Sequence, residues 1–186
     1  APPPPLKDAA VFAARSGRFE RGLAVLCNDG GISAIGRGID APAGAAAINC
    51  GGQYLLPGLI DCHVHLTSGG APGEMNDARE RPLAIAAWHA AEYARRTLHA
   101  GVTTVRDLGA VAHLNIHLAR AIDDGLVEGP TVLAAGLGVT MTGGHGHGFI
   151  AREADGPDET RKAVREQLRA GARAIKLFAS GGVMTP

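Results

Sequence analysis

Aromatic side chains are scarce in this chain: one tryptophan, two tyrosines and four phenylalanines amount to 4% of its 186 residues. With apolar residues at 46%, packing falls largely to alanine and glycine, which suits closely layered helices and strands. Cys27, Cys50 and Cys62 are an odd number and show no Cys-x-x-Cys spacing, which speaks against a disulfide framework or a zinc ribbon. An excess of one charge is missing too. Eighteen Lys and Arg balance eighteen Asp and Glu, so nothing points to nucleic acid or an anionic membrane as partner. No apolar run approaches the ~18 residues that span a bilayer, and no leader pattern is present. A cytoplasmic location is the expectation, although Ala1-Pro2-Pro3-Pro4-Pro5 also fits a processed end from which a signal was removed. Nucleotide fingerprints are lacking: Gly143-x-x-x-x-Gly148 has no Lys-Ser/Thr after it. There is no Gly-x-Ser-x-Gly elbow, and Ser180 has no base assigned to it.

What is present falls into two regions, 1–56 and 57–186. The first carries short strand candidates at 10–14, 23–26, 32–36 and 45–50. Turn signals at Ser16-Gly17 and Asn28-Asp29-Gly30-Gly31 separate them. The second alternates strands and helices. Strands are expected at 59–65, 102–108, 131–135 and 173–180, helices at 81–99, 113–124 and 157–171, and loops at 67–73 and 136–156. Such repeats argue for an α/β fold with a parallel sheet covered by helices. A complete (β/α)8 barrel typically takes about 250 residues. Residues 57–186 supply about half of that.

The run Pro57-Gly58-Leu59-Ile60-Asp61-Cys62-His63-Val64-His65-Leu66 reads as an apolar strand entered through a Pro-Gly turn. Alternation puts Leu59, Asp61, His63 and His65 on one face, so the two imidazoles can converge on one metal ion. Asp61, in line with them, is placed to orient His63. Cys62 falls on the other face, as a small filler against the helix layer. Lys176 sits mid-strand among Ala174, Ile175, Leu177 and Phe178. It is either a lysine snorkelling from an edge strand or paired with a carboxylate, or an amine that burial keeps neutral. A neutral amine adds carbon dioxide to give a carbamate, an anion able to bridge two divalent cations. In Thr140-Met141-Thr142-Gly143-Gly144-His145-Gly146-His147-Gly148, the flanking glycines make a pliable backbone, poor preorganisation for metal ligands. His145 and His147 are therefore read as substrate-binding, with a further metal site or a plain surface loop as alternatives. Arg106 and Asp107 end the second strand as an ion pair or loop cap. His89, His99, His113 and His117 fall on helices as surface or packing residues.

The phrase from Pro57 to His65 resembles the first barrel strand of the amidohydrolase superfamily, and residues 175–183, Ile-Lys-Leu-Phe-Ala-Ser-Gly-Gly-Val, resemble its fourth. The histidine loop is similar to that of the dipeptidase branch, which includes Xaa-Pro dipeptidase-like proteins and ochratoxin-hydrolysing amidases. The resemblance implies the N-terminal half of a (β/α)8 barrel, strands one to four, preceded by part of a small β-sandwich. It implies two divalent metals, zinc being the expected one, held by His63, His65 and Lys176, the last carboxylated by CO2. It also implies hydrolysis of an amide or peptide bond, in a dipeptide or an N-acyl amino acid, by a hydroxide bridging the metals. Cyclic-amide hydrolysis and deamination are the family's other chemistries. A half-barrel scaffold that binds a partner chain is the non-catalytic alternative. The remaining ligands and a catalytic aspartate come from strands five to eight, so a further chain or segment is the expected partner. A homo-oligomer of the completed unit is expected as well. An isolated half-barrel exposes two sheet edges and an apolar seam, and by itself is expected to be neither stable nor active.

Overall fold

A computed structural model describes residues 4–28, 30–40 and 44–182, which divide into two compact units, Ala1–Pro57 and Gly58–Pro186. Asp29, in one of the turn signals, and residues 183–186 lie outside the described residues.

In the first unit β1 (Leu6–Ala13), β2 (Arg18–Asn28) and β3 (Gly31–Gly36) form an antiparallel meander. The β1–β2 turn closes with the Ser16 and Gly17 amides donating to the Ala13 carbonyl, Gly17 taking a φ of 65°. The strand expected at 45–50 shrinks to β4 (Ile48–Asn49), which with β5 (Tyr54–Leu55) runs parallel to β1. Ala9, Val11 and Val25 are the buried centre, with Leu6, Leu23 and Leu55 packed around them.

The second unit is built on β6 (Leu59–Val64), β7 (Val102–Asp107) and β8 (Thr131–Ala134), parallel and in that order. Between β6 and β7 lie α1 (Glu74–Glu80) and α2 (Leu83–His99); α3 (Leu114–Asp123) follows β7. The helix expected to start at residue 81 starts after Pro82, whose own backbone is extended at ψ 137°. Val105, Val132 and Ala134 of the sheet bury themselves with Leu66 against Ala90 and Ala94 of α2 and Leu118 of α3. Alanine at the α2 contact lets that helix approach closely.

The loop expected over 136–156 is not structureless. It holds β9 (Gly138–Thr140) and β10 (Ala151–Glu153), two three-residue strands paired in parallel. Gly136, at φ 71°, bends the chain from β8 into β9. α4 (Gly156–Ala170) starts beside Pro157, carries Asp158 and Glu159 in its first turn, and stops at Gly171 with φ 107°. The fourth strand is much shorter than its alternation suggests. The Arg173 amide donates to the Ala134 carbonyl, and Leu177 then bridges Val139. Residues 173–180 thus meet the last residue of β8 and the middle of β9, and build no continuous ladder.

Candidate active site

Strict alternation fails within β6 at the residues that matter. Asp61 pairs with Val105 and Val64 with Asp107, so three steps on β6 match two on β7. The extra residue is a bulge, which leaves main-chain groups unpaired and re-aims side chains. Two side chains take up those groups. The Asp61 carboxylate accepts the His63 amide at 3.0 Å, and the Arg106 guanidinium donates to the Cys62 carbonyl at 2.8 Å. Asp61 thus holds the backbone of His63, not its ring. Cys62, expected against the helix layer, is exposed like the rest of residues 59–63 on this edge strand, and the helices cover Val64 and Leu66 beyond it.

The bulge sets the two imidazoles at 5.5 Å between ring centroids. His65 Nδ1 lies 2.8 Å from the Gly109 carbonyl, which can only accept. Nδ1 therefore carries the proton, and the lone pair of Nε2 is the one offered to a ligand. The His63 pKa lies below the ordinary histidine value. Partial burial is the main cause, the Lys176 ammonium, His65 and Arg106 add to it, and Asp61 opposes them. A neutral ring is the form that binds a cation.

His63, His65, His145 and Lys176 line one cavity of about 570 Å³, with Met75, Ile150 and residues 177–182. Lys176 is half-buried, and its Nζ stands 4.9 Å from the centroid of the Phe178 ring. The same ring meets His145 edge-on at 5.0 Å. Gly182 comes so near His145 that a Cβ on it would lie 2.2 Å from Nδ1. His147 is not on the cavity wall, and its Nδ1–H donates to the Gly144 carbonyl at 2.8 Å. Among the described residues no three His, Cys, Asp or Glu side chains converge to hold a metal ion. Two imidazoles, one with its tautomer fixed, facing an amine across one cavity fit part of a metal-binding set.

The histidine loop is tied down more firmly than its glycines imply. Asp155 accepts both the amide and the hydroxyl of Thr142, and Glu153 accepts the Gly143 amide at 2.7 Å. The Asp155 carboxyl is held below the ordinary aspartate value, first by the Thr142 hydroxyl and then by its amide. Asp107, read from sequence as an ion pair or loop cap, is a cap of unusual reach. It is 0% exposed and accepts N–H groups from Leu66, Gly109 and Asn115. Burial raises its carboxyl above the ordinary aspartate value, against the opposing pull of those three donors and of His65. Asn115 was missed altogether. Its polar side chain on an apolar helix face, buried next to a strand end, was the available signal. Of the helical histidines, His113 meets Gln167 at 2.9 Å and His99 meets Glu128 at 2.9 Å.

These features define an α/β protein with a cavity beside the strand ends of its second unit, lined by His63, His65, His145 and Lys176. Residues 54–186 match the amidohydrolase family, and the chain belongs to that family. It is 37% identical over 158 residues to an ochratoxinase of Aspergillus niger, a match covering 70% of this chain and 32% of the ochratoxinase. The crystal structure of A. niger ochratoxinase superimposes with a TM-score of 0.79 at 27% identity, covering 98% of this chain and 48% of that one. A prolidase complexed with N-methylphosphonate-L-proline gives 0.85 at 33% identity, with 98% and 48% covered. A Xaa-Pro dipeptidase with bound methionine gives 0.76 at 26%, with 97% and 48% covered. The chain thus spans about half the length of these structural relatives.

Proposed function

We propose that this protein is a metal-dependent amidohydrolase that cleaves an amide or peptide bond in a dipeptide or an N-acyl amino acid. The observation that carries this reading is the meeting of His63, His65, His145 and Lys176 on one cavity. Relatives include an ochratoxinase, a prolidase and a Xaa-Pro dipeptidase, which supports an amide as the bond cleaved. The parallel sheet of the second unit is then the first half of a (β/α)8 barrel, and the first unit part of a β-sandwich. Activity requires strands five to eight, which supply the remaining ligands and the catalytic aspartate.

His63 and His65 would hold a divalent cation through ring nitrogens. Lys176 would share it with a second cation as a carbamate: the amine nitrogen bonds to the carbon of CO2, one C–O π pair moves to oxygen, and the N–H proton leaves to water. Divalent cations held there, zinc being the expected one, would lower the pKa of a water and polarise the scissile carbonyl. His145 hydrogen-bonds a carboxylate or carbonyl of the substrate, on the wall facing the Phe178 ring. The loop carrying His147 holds that orientation.

The test is metal analysis of the full-length protein, with assays on Xaa-Pro dipeptides and N-acyl amino acids beside cyclic amides and aminated bases. Two divalent ions per site and hydrolysis of the first two classes are expected; Lys176→Ala should abolish the hydrolysis and remove the second ion. Turnover of cyclic amides or aminated bases alone would reassign the chemistry. Metal-free protein with unchanged assembly would make the unit a scaffold.

A further inference from the structure

Asp107 is a fully buried carboxylate with no cation among its hydrogen-bond partners. A buried carboxyl group is costly, so its retention at a strand end needs a reason beyond filling space. The hydrogen bonds around it form a closed circuit that ends on His65. The ring Nδ1–H of His65 donates to the Gly109 carbonyl at 2.8 Å. The N–H of that same peptide, on Ala110, donates to the Gly136 carbonyl at 3.1 Å. Gly136 also accepts the Asn115 side-chain amide at 3.2 Å, and that amide reaches the Asp107 carboxylate at 2.9 Å. Asp107 closes the circuit by accepting the Gly109 amide at 3.1 Å. Its second oxygen takes the Leu66 amide at 2.8 Å, one residue beyond His65. Gly109 itself sits at φ 152° in a place where a Cβ would lie 3.6 Å from the His65 ring and 3.3 Å from the Ile150 carbonyl.

We propose that Asp107, working through Asn115, is the positioning residue that fixes the orientation and tautomer of His65 as a metal ligand. This rests on the metal-site reading above. The circuit clamps the Gly109–Ala110 peptide at both ends, so the carbonyl that selects the Nδ1–H tautomer cannot swing away. It also joins the ends of β6, β7 and the turn after β8, which carry the cavity wall. Three N–H groups occupy both oxygens, Gly109 and Asn115 on one and Leu66 on the other. An asparagine has one acceptor oxygen, and its NH2 would face either the Leu66 or the Gly109 amide, donor against donor.

The experiment compares wild type, Asp107→Asn and His65→Ala in the full-length protein. It reads Zn2+ affinity by chelator competition, the visible spectrum of the Co2+-loaded protein, and folding by circular dichroism. Removing an outer partner of a ligating histidine typically weakens metal binding by about 10- to 100-fold. We expect that loss in a folded Asp107→Asn, with a changed Co2+ spectrum, and a larger loss in His65→Ala. Val25→Ala, buried in the first unit and outside the circuit, is expected to lower the melting temperature with Zn2+ affinity and Co2+ spectrum unchanged. A folded Asp107→Asn with wild-type affinity and spectrum overturns the inference alone. A wild type that binds neither cation overturns the metal reading and this inference with it. If Asp107→Asn does not fold, Asn115→Ala is read the same way. It spares the bonds to Leu66 and Gly109 while removing one donor from Asp107 and one from Gly136 and the acceptor of the Ile116 amide, so a smaller loss of affinity with the same spectral change supports positioning. Unfolding of both variants assigns the pair a purely architectural role.

Discussion

On one wall of the cavity His65 is gripped by the Gly109 carbonyl, behind which stand the buried Asp107 and Asn115. On another stretch of the same lining Lys176 lies on a segment joined to β9 by two main-chain bonds, Val139 to the Lys176 carbonyl and Phe178 to the Val139 carbonyl, each 2.8 Å. Its side chain rests on the face of Phe178 and is half-buried. The first wall is fixed by directional hydrogen bonds between dry groups, which are costly to leave unmade. The second is fixed by the shape of one aromatic ring and the glycines that give it room. The histidine wall should therefore resist changes of packing that disable the lysine wall.

The largest effect should come from Gly138→Ala. A Cβ there would lie 2.2 Å from the Phe178 ring, and Gly138 cannot retreat, since its amide is bonded to the Ile150 carbonyl at 2.9 Å. Forcing a methyl into such a site costs about 1–3 kcal/mol. Thermal unfolding of the full-length protein should show that loss. Metal analysis should show the Lys176-dependent ion depleted while the ion held by His63 and His65 stays. Equal loss of both ions would show that the walls are not independent. Gly182→Ala should act more narrowly, by displacing the His145 ring that it would touch. If His145 binds a substrate carboxylate, the lost hydrogen bond is worth about 1.5–3 kcal/mol. KM should then rise by roughly ten- to a hundredfold with kcat little changed, as for an interaction made equally in ground and transition states. A drop in kcat at constant KM would move His145 from substrate binding into the chemistry.

Which parts of this could be read from sequence follows from the range of the interactions involved. The His63/His65 pair and Lys176 were legible because residue type and local apolar context announce them. The helices from Leu83 to His99 and from Gly156 to Ala170 were legible from period, Pro82, Pro157 and Gly171. The β6 bulge was not, since it depends on the register against β7, and with it went the role of Asp61. β9 and β10 are three residues each, too few to show alternation. Asp107 shows only as a strand-end acid. Its link to Asn115 and Gly136 exists once three strand ends meet, and no local pattern encodes that.

The smallest effect concerns the histidine loop, where glycine content and hydrogen bonding pull in opposite directions. Asp155 ties Thr142 by two bonds while being exposed itself, so its contribution is modest and screened. Its folded pKa is lowered, so the tie is fully present above the unfolded aspartate value of about 3.9 and is lost as pH falls through the lower folded value. Asp155→Asn should therefore exchange the Thr142 and Gly143 amides faster than wild type at neutral pH. The ratio of the two rates should shrink toward one as the solution is taken below pH ~4, where wild type loses the charge that the variant never had. A ratio that stays constant on acidification would mean that Glu153, through the Gly143 amide, holds the loop instead. In that case the glycines around His145 are restrained by a neighbour whose bond lies on the β10 side, and the loop belongs with the rigid wall rather than the pliable one.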